Sequence, residues 1–582
     1  MEREACVREP VLGRAYPALR APFNLWDLVA LTIVVGVLLA MSHGARETFA
    51  PLGPLSEAPI SLDPWRLPEY AVRTSLRMIA AMVASLVFTF GYATLAAKSR
   101  HAELVLVPLL DILQSVPVFG YLAFTYAWFM ALAPGNVLGV EFLSVFTVFT
   151  AQAWTMAFSF YQSLKTIPAD LDEAARAFGL SAWQKFWRLE APFGAPALIW
   201  NMMMSMAGGW FFVVISEAFT VGNTTITLPG VGSYLQAANA KGDVAGVLWA
   251  VVTMALTILI FDQLLFRPLV AWSEKFHFEQ TASADPPRSW MLDLMRRTRL
   301  MAAVGRPLGV FARSLATFRL SARLPQPPPL SRREARAVDV VWLVLVLALC
   351  GAAARNIFVY VARELTGREV LHVIELGVFT LARVAVLVAV ASAIWTPVGV
   401  WVGLRPKLAE RIQPVAQFLA AFPANLFYGA AVSIIIAWNL DPNIFLSPLM
   451  ILGTQWYVLF NVIAGASAYP TDLKQVAQSF GLKGWQWWRQ VMGPGILPYF
   501  VTGALTATGG AWNASVVAEI VPWRGRTIEA AGLGAYIQSA TIAGDFQRVA
   551  LGIVVMSVFV VGVNRLVWRP LYRLSERKYH FE

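Results

Sequence analysis

Two stretches of the chain repeat one polar pattern: residues 168–183 read PADLDEAARAFGLSAW and residues 470–485 read PTDLKQVAQSFGLKGW. The copies start 302 positions apart, and each lies between long apolar segments. Charged and polar groups are costly inside a bilayer, so a repeated polar stretch is expected to protrude from the membrane. The pattern therefore predicts a duplicated membrane protein with two exposed docking loops.

The composition is that of a membrane protein. Hydrophobic residues make up 58% of the chain and charged residues 14%, with a mean hydropathy of +0.59, whereas soluble domains carry roughly 25% charged residues. Apolar runs of about 20 residues recur, long enough to cross a hydrocarbon core of about 30 Å. We predict five or six spans per half, because prolines could split the third span. The predicted spans are residues 25–42, 71–97, 104–132, 138–164, 196–221 and 244–266, then 338–362, 374–402, 413–437, 444–467, 495–521 and 546–568.

The repeat extends far beyond the two loops. At the same 302-residue spacing, Trp210 matches Trp512 and Glu217 matches Glu519. Because an even number of spans separates the copies, the halves are expected to be parallel and related by a pseudo-twofold axis along the membrane normal. We therefore predict an all-α polytopic membrane protein of two tandem units with a pathway between them. Its predicted parts are an amino-terminal tail (1–24), a first unit (25–285), a linker (286–336) and a second unit (337–582).

Basic residues indicate the orientation, since Lys and Arg are retained in short cytoplasmic loops. The amino-terminal tail, the loop with Lys98 and Arg100, and its counterpart with Arg405 and Lys407 fall on one side under a six-span count. That side is predicted to be the cytoplasm, with both chain termini on it. The first apolar run lacks a small-residue cleavage pattern and is expected to remain as a signal anchor.

The linker carries much of the net charge of +11, because positions 286 to 336 contain 11 arginines and two acidic residues. Apolar residues interleave with these arginines at helical spacings, which favours a segment lying on the anionic inner leaflet. The alternative is a solvated basic tether stiffened by the prolines at 325 and 327–329. Neither interpretation calls for nucleic acid as a partner.

Four charged residues are expected to pair within the membrane. At about 1.5 Å per residue, Glu217 lies near the outer end of the fifth span and Arg77 reaches a similar depth in the second. Arg383 and Glu519 hold the equivalent places in the second half. Charges inside membrane proteins are usually paired or face a water-filled cavity, so each arginine is predicted to pair with the glutamate of its own half. The pairs either gate the outer mouth or leave the arginines available to attract an anion; the alternative is that they brace the second span against the fifth.

The central lining of the pathway is expected near two tryptophans. Paired glycines precede Trp210 and Trp512 and let helices approach closely there. The candidate lining residues are these tryptophans together with Asn513 and Ser515. Tryptophan at helical spacing also commonly serves in packing or as an interfacial anchor, which is the alternative interpretation.

The loop pattern resembles the EAA loop of binding-protein-dependent ABC importer permeases. In the first half the matching residues are Glu173, Ala174, Ala175, Gly179, Leu189, Ala191 and Pro192. The second copy is a degenerate form in which Gln replaces Glu and Val replaces the first Ala; its matching residues are Gln475, Ala477 and Gly481. Residues 509–519 (GGAWNASVVAE) and 110–117 (LDILQSVP) are similar to the nitrate, sulfonate and bicarbonate branch in its duplicated, fused form.

The resemblance implies that both loops dock into a cytoplasmic ABC ATPase dimer at a bacterial inner membrane. It also implies a small inorganic or organic anion as cargo and an extracytoplasmic solute-binding protein that delivers it. The chain contains no Gly-Lys dipeptide and so lacks the P-loop that cradles ATP phosphates. We therefore expect ATP and Mg²⁺ to act in the partner subunit and no cofactor in this chain.

A gradient-driven secondary transporter of twelve helices is the alternative function. It would need a titratable group near the bilayer centre, whereas the carboxylates here cluster near the outer ends. An enzyme is disfavoured because the five histidines stand singly, without metal-ligand spacing, and no Gly-x-Ser-x-Gly or His-Glu-x-x-His motif occurs. No catalytic, cofactor-binding or metal-binding residue is predicted.

Overall fold

The computed structural model describes residues 60–276, 289–298 and 332–579, apart from positions 115, 135, 223, 468, 470 and 525, and scattered positions at 27–42 and 307–318. The predicted amino-terminal tail, most of the predicted first span and most of the linker lie outside the described residues. Pro470, at which the second polar loop was predicted to begin, also lies outside them.

Long apolar helices joined by short polar turns build each half. The first half contains α1 (Leu67–Lys98), α2 (Arg100–Leu113), α3 (Val118–Leu132), α4 (Leu138–Lys165), α5 (Ala169–Ala177), α6 (Ala182–Ser216), β1 (Ala218–Val221), β2 (Thr224–Thr227), α7 (Val231–Lys241) and α8 (Val244–Ser273). The linker contains α9 (Trp290–Arg297).

The second half repeats this order after its first helix, whose counterpart in the first half would fall among residues that are mostly outside the described part of the chain. It contains α10 (Arg332–Ala362), α11 (Gly367–Gly403), α12 (Pro406–Ala421), α13 (Ala424–Ala437), α14 (Pro442–Ile451), α15 (Trp456–Ser467), α16 (Thr471–Ser479), α17 (Gly493–Ala518, preceded by the helical turns Gly484–Trp487 and Trp488–Met492), β3 (Ile520–Trp523), β4 (Arg526–Glu529), α18 (Leu533–Ala543) and α19 (Phe546–Leu574). Helices α11 and α17 thus correspond to α1 and α6.

Many of these helices are suited to cross a membrane. Within the described part of the chain, seven are long and apolar enough to span, or nine if each of two bent pairs counts as one span. Large apolar side chains such as Val87, Leu248 and Val341 are exposed on them, which a water-soluble surface would not favour in such number. The all-α polytopic architecture predicted from the sequence is confirmed.

Breaks near prolines interrupt the third span of each half. The predicted span 104–132 consists of α2 and α3, separated just before Pro117, and the predicted span 413–437 consists of α12 and α13, which meet at 72° before Ala424. Proline lacks an N–H and restricts the residue before it, so the helix stops there. The break of 42° between α14 and α15, inside the predicted span 444–467, was not predicted.

The predicted end of the fifth span at residue 221 is wrong. Helix α6 ends at Ser216, and the chain then forms the hairpin β1–β2, in which Ala218 pairs with Thr227. The predicted end of the equivalent span at 521 is wrong for the same reason, since β3–β4 pairs Ile520 with Glu529. Apolar and β-branched residues in these strands continue the hydropathy of the helix, which hides the change of structure.

The halves share an apolar interface built around the proline breaks. Leu426, beside the break of the second half, packs into the core of the first half. Val118, beside the break of the first half, packs with Phe212 into the core of the second. The interrupted third spans therefore lie between the two units.

The described part of the linker packs against the first half. Met291 and Leu294 of α9 are buried against Leu264, and the Trp290 indole donates to Gln263 Oε1 at 2.9 Å. Farther along, Gln184 Nε2 donates to the carbonyl of Thr317 at 2.9 Å. The linker thus follows the end of the molecule that carries the first polar loop, while its contact with a lipid leaflet stays a prediction.

Candidate coupling loops and outer charge clusters

The first polar loop is a rigid turn between α5 and α6. Glu173 lies exposed on α5, Ala175 is buried beneath it, and Gly179 adopts φ +62°, a conformation that side chains beyond glycine rarely adopt. Ser181 and Gln184 form a capping box at the start of α6. Phe178 beside the glycine is 82% exposed, so the loop presents an apolar side chain on a stiff support.

Charged contacts fix α5 to the start of α6. Asp172 pairs with Arg176 on its own helix at 2.6 Å and with Lys185 across the turn. The Lys185 ammonium, followed by Arg176, holds the pKa of the Asp172 carboxyl below its ordinary value. The carboxylate therefore stays ionised at neutral pH and keeps the two helices together.

The second polar loop reproduces the shape of the first with fewer charges. Gln475 is exposed, Ala477 is buried, and Gly481 has φ +64°. Phe480, next to this glycine, is 78% exposed. Gly484 adds a second left-handed position, with φ +57°, at the place of Ala182. The structure thus places every predicted coupling residue in one of two similar exposed turns.

Both ion pairs predicted within the membrane are present. Arg77 Nη1 lies 2.7 Å from Glu217 Oε1, and both side chains are almost wholly buried. Arg383 Nη1 lies 3.0 Å from Glu519 Oε1 in the second half. These contacts join α1 to the end of α6 and α11 to the end of α17.

Each glutamate also binds groups that the sequence analysis did not identify. Glu217 accepts from the Thr74 hydroxyl at 2.6 Å and from the Gly232 N–H at 2.7 Å. Glu519 accepts from Thr380 at 2.9 Å and from the Gly534 N–H at 2.8 Å. The repeated spacing Thr-x-x-Arg in α1 and α11 was the available signal.

Arg77 and Arg383 differ in their second partner. Glu141 binds Arg77 with both oxygens, at 2.6 Å from Nε and 2.7 Å from Nη2. Asn443 holds the equivalent position and accepts from Arg383 Nη2 at 3.2 Å. The first half also buries Arg73, one turn before Arg77, where the second half has Phe379.

The predicted lining tryptophans lie in packed cores. Trp210 and Trp512 are each 1% exposed, with ring centroids 5.0 Å from Phe261 and 6.2 Å from Phe559, respectively. Ser515 is buried, and its hydroxyl donates to the carbonyl of Trp512 at 2.7 Å. These contacts favour the packing interpretation, and a lining role stays a prediction.

Asn513 is the predicted lining residue that reaches the other half. Its Oδ1 accepts from the N–H of Val118 at 2.9 Å, at the start of α3. A reciprocal contact runs from Asn425 Nδ2 to the carbonyl of Phe211, at 3.5 Å. Phe211 and Asn513 hold the same repeat position, so each half contacts the broken helix of the other.

The hairpin tips also cross between the halves. The Gly222 N–H donates to the carbonyl of Thr541 at 3.0 Å, and the Arg524 N–H donates to that of Asn239 at 3.4 Å. Gly222 and Arg524 hold equivalent positions, both with positive φ. Each hairpin begins directly after Glu217 or Glu519, so the buried ion pairs support the bases of two exchanged hairpins that we name the outer clasp.

Comparison with known proteins places this arrangement in a family. Residues 88–267 and 395–579, more than half of the chain, match the family described as "Binding-protein-dependent transport system inner membrane component". The chain belongs to this family. It contains the family's domain twice, so the duplicated permease expected from the sequence is confirmed, and each match lies within one predicted unit. Membership favours the permease over the gradient-driven alternative.

Curated relatives of this permease carry different solutes in their names. The glycine betaine/carnitine transport permease protein GbuB of Listeria monocytogenes serotype 1/2a (strain 10403S) is 26% identical over 205 residues, 35% of this chain and 66% of the relative. The bicarbonate transport system permease protein CmpB of Synechocystis sp. (strain ATCC 27184 / PCC 6803 / Kazusa) is 27% identical over 188 residues, 32% of this chain and 62% of CmpB. The nitrate import permease protein NrtB of the same strain is 21% identical over 188 residues, 32% of this chain and 65% of NrtB. The matched stretch spans less than two thirds of each relative.

Proposed function

We propose that this chain forms the whole translocation pathway of an ATP-driven importer and that α5 and α16 dock into the two subunits of a cytoplasmic ATPase dimer. The observation that carries the proposal is the pair of matching turns, each with a left-handed glycine and an exposed phenylalanine. A motor of two equal subunits needs two such contacts, and the internal duplication supplies both within one chain.

The polar loops are proposed to face the cytoplasm. Lys98, at the end of α1, lies 2.8 Å from Glu190, which follows the first loop in α6. Lys98 belongs to the basic loop that the distribution of Lys and Arg assigns to the cytoplasm. The outer clasp then lies toward the extracytoplasmic side, where a solute-binding protein would deliver the cargo.

We further propose that the outer ion pairs act as braces. Arg77 is 3% exposed, and its guanidinium is bound by two carboxylates and by the carbonyl of Pro229. An arginine with these partners has few N–H donors left with which to bind an incoming anion. This supports the brace over the anion-attracting gate.

For the cargo we propose a small anion such as nitrate, bicarbonate or a sulfonate. The names of CmpB and NrtB support this class. A betaine is the second candidate, because GbuB is also a relative. Competition among radiolabelled bicarbonate, nitrate and glycine betaine, in proteoliposomes that also contain the partner ATPase and binding protein, would decide between them.

The test of the proposed mechanism uses the left-handed glycines. Gly179→Val and Gly481→Val should each distort a coupling turn, because a β-branched residue is strained at this φ. We expect uptake to fall and to remain strictly ATP-dependent. Gly91→Ala is the control, since a Cβ at Gly91 meets nothing within 4 Å. Uptake driven by a proton gradient without ATP would refute the proposal.

A further inference from the structure

A chain of four charged side chains connects the first coupling helix to α1. Asp172 of α5 pairs with Lys185 of α6, and Lys185 Nζ lies 3.6 Å from Glu190 Oε1. Glu190 Oε2 lies 2.8 Å from Lys98 Nζ, at the last residue of α1. We name these four residues the inner charge chain.

Glu190 is the buried centre of the inner charge chain. It is 3% exposed and ends the π-helical turn Phe186–Glu190 that joins the start of α6 to its long apolar part. A buried carboxylate is costly unless cations compensate it, and Lys98 and Lys185 approach it from two different elements. Loss of the Glu190 charge would therefore release α1 and the start of α6 from each other.

The second half provides an internal comparison, because its equivalent positions cannot form this chain. At the 306-residue spacing that relates Arg77 to Arg383, Leu404 replaces Lys98; at the 302-residue spacing, Lys474, Trp487 and Met492 replace Asp172, Lys185 and Glu190. Leucine, tryptophan and methionine carry no charge, so the link of the first half has no ionic counterpart at these positions. Gly484 also replaces Ala182 and gives the second turn an additional left-handed residue.

The helix that receives the link also reaches the outer end of the molecule. Lys98 and Arg77 both lie on α1, and the separation of 21 positions corresponds to about 32 Å of helix. A displacement imposed on α5 can therefore pass through Glu190 to α1 and along it to the charge cluster below the outer clasp.

We infer that Glu190 is a positioning residue that makes the first coupling helix, the start of α6 and the end of α1 move as one body. The second coupling helix moves on a more flexible turn. The two loops therefore transmit unequally, with the first as the stiffer one. This inference rests on the proposed function, in which α5 receives the motion of the ATPase.

The test measures solute transported per ATP hydrolysed in the reconstituted complex. Glu190→Gln should leave ATP hydrolysis near the native rate and lower the transport ratio by about fivefold or more, in the range of moderate site-to-site coupling. Lys98→Glu alone should do the same. The exchanged pair, Lys98→Glu with Glu190→Lys, should recover most of the ratio because it restores the ion pair.

The matched control is Glu103→Gln. Glu103 pairs with Lys165 at 2.8 Å, which links α2 to the end of α4 near the same end of the molecule without touching α5 or α6. Its transport ratio should match that of the native protein. The inference is overturned if Glu190→Gln lowers only the amount of protein and keeps the native ratio, or if the exchanged pair shows no recovery.

A second readout separates this inference from the proposed function. A cysteine at position 173 should crosslink to the ATPase subunit in the native background and in Glu190→Gln alike. Absence of the crosslink in both refutes docking itself. A crosslink in both, with an unchanged transport ratio in Glu190→Gln, refutes only the role of Glu190.

Discussion

The ends of the two halves that carry the hairpins resemble each other far more than the ends that carry the polar loops do. At the hairpin ends, a threonine, an arginine, a glutamate and a glycine N–H recur with the same contacts; they are Thr74, Arg77, Glu217 and Gly232, then Thr380, Arg383, Glu519 and Gly534. At the loop ends, the ionic link through Glu190 has Met492 at the matching position. The halves thus share a way of anchoring their hairpins, and they differ in how they would receive force.

The largest expected effect comes from locking the outer clasp, where the two similar ends meet. Asn239→Cys with Arg524→Cys, in a chain with both native cysteines replaced by serine, places two thiols where the backbones already touch. If the halves must separate there to admit solute, oxidation should abolish uptake and reducing agent should restore it. Radiolabelled uptake before and after reduction is the measurement.

The control for the locked clasp is a disulfide within one hairpin. Thr220 and Thr225 face each other across β1 and β2. A disulfide between Thr220→Cys and Thr225→Cys therefore lies within one half and does not link the two halves. The oxidised control protein should transport as fast as the same protein does after treatment with reducing agent. Native uptake through the oxidised 239–524 protein would show that the clasp does not open.

The next largest effect should distinguish the two arginines. Arg77→Met leaves the two buried carboxylates of Glu141 and Glu217 with the guanidinium of Arg73 alone, whereas Arg383→Met leaves one carboxylate beside a neutral amide. Breaking a buried ion pair costs about 3–5 kcal/mol, so both variants should unfold at lower temperature and Arg77→Met should be the worse. Thermal unfolding in detergent measures this, and equal losses would contradict the difference assigned to Glu141.

A smaller effect should appear when the additional charged residues of the first half are replaced by the residues at the equivalent positions of the second half. Glu141→Asn alone leaves Arg73 and Arg77 facing the single carboxylate of Glu217. Combining it with Arg73→Phe restores the charge balance found around Arg383. We expect the double variant to be more stable than the sum of the single changes by about 1 kcal/mol, as residues in one network are coupled. Strict additivity in a double-mutant cycle would remove Arg73 from the cluster.

The smallest effect concerns the pH dependence of the first loop. Because Lys185 lowers the pKa of Asp172, the contribution of Asp172 to stability is present above its ordinary pKa and is lost as the pH falls through the lowered value. The rate of amide exchange of α5 should therefore rise relative to that of α16 as the pH falls below about 4. The difference should vanish in Asp172→Asn, and its persistence there would exclude this carboxylate as the cause.

The repeat made the architecture and the ion pairs predictable. Charges in a membrane must find partners, and the recurrence of an arginine in the second span and a glutamate in the fifth span of both halves left Arg77 with Glu217 as the consistent choice. Glu141 was not predicted because its counterpart is Asn443, so the repeat gave no signal of a second carboxylate. Glu141 also lies at the start of α4, far from Arg77 in sequence, and their contact is evident only in the packed structure.

The inner charge chain and the hairpins could not be predicted from the sequence, for different reasons. Glu190 follows the recognised loop but depends on Lys98 from another helix, and neither residue has a charged counterpart in the second half. The strands after Ser216 continue an apolar run, and hydropathy does not distinguish a short apolar strand from the end of a span. Burial of Trp210 likewise depends on Phe261, about 50 residues later in the chain.

The most direct test of the central claim is labelling of single cysteines at positions 173 and 475 in sealed vesicles, followed by crosslinking to the ATPase. The account predicts that both thiols react only with reagent on the cytoplasmic side and that both crosslink to the ATPase. Reaction of either thiol with a membrane-impermeant reagent from the extracytoplasmic side would contradict it.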